Sequence, residues 1–152
     1  MRRFHILICL LLLGSAPLLH ASSAKVVKVL PQFLDKQGRV ALAPSLYERD
    51  AYQAQLRTHP GEQSALRFCV QWKAHGVDWS KVKLRLEARG VFGNTLVLKT
   101  FEVPVKKTGW FTTWSELKMS GEEFEKFGKL ISWHATLWEG DKQIAEQKSF
   151  LW

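Results

Sequence analysis

Two stretches decide the fold: Leu66-Arg67-Phe68-Cys69-Val70-Gln71-Trp72-Lys73 and Val82-Lys83-Leu84-Arg85-Leu86-Glu87-Ala88-Arg89. In both, apolar residues alternate strictly with polar ones. Successive side chains of a strand point to opposite faces, so this period of two marks half-buried β-strands. Leu66, Phe68, Val70 and Trp72 belong to one core face, and Val82, Leu84, Leu86 and Ala88 to another. Cys69 points away from its apolar neighbours.

On the N-terminal side, Val26–Leu34 is β-rich, Lys36-Gln37-Gly38 is a turn signal, and Val40–Leu42 reads as a short extension beside it. A helix follows. Ser45 and Glu48 form a capping box, Tyr47, Ala51 and Ala54 share one face flanked by Tyr52 and Leu56, and Thr58-His59-Pro60-Gly61 ends it. On the C-terminal side, Gly90–Asn94 reads as a loop, Thr95–Val105 as a strand with Pro104 marking an edge, and Trp110–Leu117 as a less regular strand. Ser120 and Glu123 form a second capping box, with Phe124 and Phe127 facing the body and Gly128 at the end. Ile131–Trp138 and Gln143–Leu151 form a hairpin around a Gly140-Asp141 turn of type II′. The predicted register pairs Leu137 with Ile144, Ile131 with Phe150 and His134 with Gln147. It leaves Glu146 and Lys148 on the apolar face, a conflict that predicts a bulge or an edge position there.

About seven short strands and two short helices, with no alternating strand–helix series, predict a mainly β domain. From Leu66 to Trp152 this spacing resembles an immunoglobulin-like or fibronectin-type-III-like antiparallel β-sandwich. The resemblance concerns architecture only: the Cys-Trp-Cys pattern of antibody domains is absent, and the helix near residue 50 departs from it.

The first residues carry an address. Arg2 and Arg3 precede the apolar run Phe4–Leu13, and small residues follow as far as Ala24, the pattern of a secretory signal peptide. The run is shorter than the roughly 20 residues a spanning helix needs, so no transmembrane anchor is expected after processing. The reading is a signal peptide over 1–24 and a single domain over 25–152. Cleavage before Lys25 is preferred and cleavage after Ala21 is the alternative. The processed chain is then exported, periplasmic or extracellular. Removing Arg2 and Arg3 takes away two of the formal +8 charges of the whole chain. Cys9 leaves with the leader, so Cys69 has no partner for an internal disulfide.

Catalytic and metal motifs do not form. Cys69 lies mid-strand, without a neighbouring base in sequence. His59, His75 and His134 lack ligand spacing, so neither a metal nor a cofactor is expected. Glu48 and Asp50 start a helix and point in different directions. Two surface features remain. Arg67, Lys73, Lys83, Arg85 and Arg89 would form a basic patch if their strands were sheet neighbours, although alternating charge is also what half-buried strands require. All seven Trp follow the leader. Trp72 and Trp133 belong to the core, whereas Trp110, Trp114, Trp138 and Trp152 are harder to bury all at once and, where exposed, could stack on a sugar or anchor a protein.

The expected function is an exported, non-enzymatic binding or structural module for a protein or anionic polysaccharide. Its candidate ligand-binding residues are Trp138, His134, Trp110 and Trp114, with Lys83 and Arg85 as a basic alternative. A nucleic-acid partner is not expected. The competing expectations are a small exported hydrolase acting on envelope material and a self-assembling accessory subunit.

Overall fold

The computed structural model describes residues 22–106 and 112–152. Among them the chain forms seven strands: β1 (Ser23–Asp35), β2 (Gln63–His75), β3 (Val82–Phe92), β4 (Thr95–Pro104), β5 (Thr113–Ser120), β6 (Lys129–Glu139) and β7 (Lys142–Lys148). Two helices, α1 (Leu46–Thr58) and α2 (Glu122–Phe127), interrupt them. The strands make a three-stranded sheet, β1-β2-β5, and a four-stranded sheet, β4-β3-β6-β7, antiparallel throughout. The chain is therefore mainly β, an antiparallel β-sandwich with two short helices. Most residues of the predicted leader lie outside the described residues. Ser23 and Ala24 begin β1, paired with His75 and Ala74.

The two alternating stretches become the centres of opposite sheets. Leu66, Phe68, Val70 and Trp72 from β2 face Val82, Leu84, Leu86 and Ala88 from β3, and all eight are buried. The Trp72 ring stacks at a tilt on Trp79 at 6.0 Å, and its Nε1–H donates to Ser115 Oγ at 2.9 Å. Ala135 and Leu137 extend the core from β6. Pro104 ends β4 on the edge of its sheet, where a missing N–H costs no ladder bond.

Several local expectations change. Val40–Leu42 is not a strand. Gly90–Asn94 is not a loop: β3 continues to Phe92, and Gly93-Asn94 alone turns the chain into β4. Ser120 ends β5 instead of capping α2. Gly121, with φ 61°, takes the N-cap position. In α1 the Ser45 cap holds, accepting from the Glu48 N–H at 3.5 Å, but the buried face is rotated. Tyr52, Gln53 and Leu56 face inward, while Tyr47, Ala51 and Ala54 are exposed. A polar residue wins the inward place because it bonds the backbone. Gln53 accepts from the Phe33 N–H at 2.8 Å and donates to the carbonyls of Phe33 and Val40, each at 2.9 Å. Tyr52 O–H donates to buried Asp35 at 2.7 Å.

The β6–β7 hairpin turns at Gly140-Asp141 as expected, Gly140 taking φ 59°. Near the turn the predicted register holds, with Trp138 opposite Gln143. A bulge then shifts it by one residue. Ala145 sits opposite Leu137, and Ile144 and Ala145 both pack toward the core. The bulge turns Glu146 and Lys148 outward, which resolves the conflict in their pattern. It also undoes the expected pairs of Leu137 with Ile144 and His134 with Gln147. The Ile131–Phe150 pair does not form, since β7 ends at Lys148 and Phe150 is exposed.

Helix α2 plugs one end of the sandwich with Phe124 and Phe127. Its approach needs glycine: a Cβ on Gly90 would meet the Phe127 ring at 2.8 Å. Gly90→Ala is therefore expected to cost about 1–3 kcal/mol in urea unfolding, and an unchanged midpoint would contradict this packing. Asp35 supplies a pH test. Its burial would raise the carboxyl, but hydrogen bonds from the Arg39 N–H, the Tyr52 hydroxyl, the Arg39 guanidinium and the Gln37 N–H bring it down to about 2 from the ordinary 3.8. A depressed carboxyl stabilises the fold above its unfolded value and loses that contribution as pH falls through the folded one. The difference in melting temperature between wild type and Asp35→Asn should shrink as pH is lowered from 5 toward 2. A difference constant over that range would rule this linkage out.

Candidate functional site

The candidate site is the outer face of the four-stranded sheet. The register sets β3 residues Lys83, Arg85, Glu87 and Arg89 opposite β6 residues Trp138, Thr136, His134 and Ser132. Four of the sequence candidates, Trp138, His134, Lys83 and Arg85, thus share one surface. The Arg85 guanidinium carbon lies 5.0 Å from the Trp138 ring centroid, and that of Arg89 lies 3.8 Å from the Trp152 ring. Both are cation–π distances. His134 also packs on Trp152, with ring centroids 5.3 Å apart.

These side chains form a layer of their own. Thr136 and Ser132 point outward yet are only 2% and 1% exposed. The aromatic and guanidinium groups therefore roof the sheet instead of projecting into water. Trp138 Nε1–H donates to Thr136 Oγ1 at 2.8 Å, and Thr136 donates to the Arg85 carbonyl at 3.4 Å. The buried Ser132 hydroxyl has no hydrogen-bond partner among the described residues.

Acids fix the cations. Glu102 on β4 accepts from Lys83 at 3.0 Å and Arg85 at 2.8 Å, and both hold its carboxyl below the usual range. His134 Nε2 lies 2.7 Å from Glu146, and Nδ1 lies 3.6 Å from Glu87. The contact with His134 lowers the Glu146 carboxyl. Both ring nitrogens thus face carboxylates. Past the charged rows, Leu96 and Leu98 of β4 remain 64% and 59% exposed on the same face. Register sets them opposite Val91 and Arg89.

The other expectations separate. Trp110 lies outside the described residues. Trp114 is half exposed on the outer face of the opposite sheet, beside Gln71. The expected five-residue basic patch does not exist as one surface, because β2 and β3 lie in different sheets. Arg67 and Lys73 are on one outside face, and Lys83, Arg85 and Arg89 are on the other. Cys69 sits against Gln32 Oε1 at 3.6 Å, and an amide cannot serve as a base. Burial pushes its thiol pKa up, opposite to what a nucleophile requires. A shallow open depression beside Asp35, Tyr52 and Glu62 adds no reactive group, since the Asp35 oxygens are already occupied by Gln37, Arg39 and Tyr52.

Trp152, expected from the sequence to be hard to bury but not placed among the binding candidates, lies beyond the last strand and joins this layer. If it roofs Ser132 and stacks on Arg89, Trp152→Ala should cost about 1–2 kcal/mol and alter the near-ultraviolet circular dichroism. Unchanged stability and spectrum would mean that the ring adds nothing to the layer. Cys69 should react with iodoacetamide at neutral pH more slowly than an unstructured cysteine peptide, and equal rates would contradict its raised pKa. No protein-family model, curated protein or solved structure matches this chain.

Proposed function

We propose that this chain is an exported, non-enzymatic binding module that seats a protein partner on the outer face of its four-stranded sheet. One observation carries the reading: Trp138, Trp152, Arg85, Arg89 and His134 are gathered into a held layer over buried Thr136 and Ser132. Trp and Arg are the residues that most often dominate binding energy at protein interfaces. Side chains already held in place lose less entropy when a partner docks. The exposed Leu96 and Leu98 beside them favour a protein over a polar ligand.

Export rests on the N-terminal pattern. Cleavage after Ala21 would keep the Ser23–His75 and Ala24–Ala74 pairs of β1, whereas cleavage after Ala24 would remove them. Intact mass of the secreted chain distinguishes the two; a species beginning at Ser22 is expected, and an unprocessed chain retained in the cell would overturn export.

A photo-crosslinking residue placed at Leu98 tests the binding face in the producing cell, with the same residue at Lys118 on the opposite sheet as control. A protein captured at Leu98 alone should bind the purified module, and Arg85→Ala with Trp138→Ala should weaken that binding by about tenfold or more. Equal capture at both positions, or binding unaffected by the double variant, would refute the assignment.

A further inference from the structure

The opposite face carries a different chemistry. On the outer side of the three-stranded sheet, Lys25 lies opposite Lys73, Lys28 opposite Gln71, and Gln71 opposite Trp114. Two rows further, Gln32, Arg67 and Lys118 stand side by side. Among the described residues, five cations thus share this face with one acid, Glu116, which is already paired with Arg67 at 3.2 Å. We infer that this face is a second binding surface, and that its ligand is an acidic polysaccharide.

Three observations support a polyanion. Lys25, Lys28, Lys73 and Lys118 are exposed and make no ion pair with a described residue. On the other sheet, by contrast, Lys83 and Arg85 share Glu102. Lys25 and Lys73 face each other directly across a strand pair, where like charges are destabilising. An anion lying between them would turn that repulsion into attraction. The stripe is also extended: from Lys73 to Arg67 it runs six residues along β2, about 20 Å at roughly 3.3 Å per residue.

The aromatic residue selects among polyanions. Trp114 is 50% exposed, lies between the lysine end and the Arg67–Lys118 row, and its indole N–H makes no hydrogen bond with a described residue. A flat, open ring beside unpaired ammonium groups suits a sugar whose apolar face stacks while its carboxylates or sulfates meet lysine. An anionic membrane fits less well. Among the described residues, Trp114 is the one exposed large apolar side chain of β1, β2 and β5, and interfacial binding needs a larger buried apolar area.

Isothermal titration of the full processed chain with polygalacturonate tests the inference at low ionic strength. Neutral dextran and phosphatidylcholine vesicles containing phosphatidylglycerol serve as comparators. Binding to polygalacturonate alone is expected, weakening as salt is added. Lys25→Gln, Lys28→Gln and Lys73→Gln combined should reduce affinity by about tenfold or more. Trp114→Ala, with every lysine intact, should reduce it as well. Lys83→Gln on the other sheet should leave it unchanged, so that failure here is separable from failure of the protein-binding face. The inference is overturned if the triple variant binds as wild type does, if Lys83→Gln loses as much, if dextran binds equally, or if vesicles bind and polygalacturonate does not.

Discussion

The structure depends on two consecutive strands facing each other across the core while belonging to different sheets. The inward rows of β2 and β3 supply eight buried side chains and set the distance between the layers. The crossover between them is held on its own account. Asp78 Oδ1 accepts from the Ser80 N–H and hydroxyl, its other oxygen pairs with Lys81, and these contacts bring its carboxyl to about 2. The Asp78 N–H donates to Glu139 at 2.6 Å, and the Gly140 N–H donates to the Lys81 carbonyl at 3.0 Å. The β2–β3 crossing is thereby tied to the tip of the β6–β7 hairpin, and β6 is brought against β3.

Alternation made the strands legible because half-burial imposes it directly. It reports inward against outward, but not which sheet a strand joins. That gap explains the basic patch: Arg67, Lys73, Lys83, Arg85 and Arg89 all point outward as expected, yet toward opposite sides of the molecule. The register of β7 was legible as far as the bulge. The misplacement of Glu146 and Lys148 in a strict alternation was itself the signal for one extra residue. The rotated face of α1 was not legible, since an apolar count ranks Tyr47 and Ala51 above Gln53. Gln53 is inside because its amide bonds Phe33 and Val40, a tertiary gain that helical periodicity does not contain.

The candidate surface was legible residue by residue but not as a group. Trp138 and His134 share a strand face, and so do Lys83 and Arg85; only the β3–β6 pairing brings the two sets together. The contributions of Thr136 and Ser132 follow from what lies over them. Small hydroxyl residues between large aromatics on a nominally solvent-facing side mark a roofed surface, a pattern that could have been sought in the sequence. Glu102 escaped notice because it lies on an edge strand whose partner was unassigned.

The order in which the chain visits the two sheets has a consequence for how the molecule comes apart. It builds β1 and β2 in one sheet, crosses to lay down β3 and β4, returns for β5, and crosses again for β6 and β7. Cutting the connection after Pro104 would leave each fragment with part of both sheets and a complete version of neither. Neither fragment could bury its share of the interior alone, so the two halves should be stable only when recombined. Such interleaving favours a single all-or-none transition over stepwise loss of one layer. It also makes the non-local strand pairs the slow events of folding.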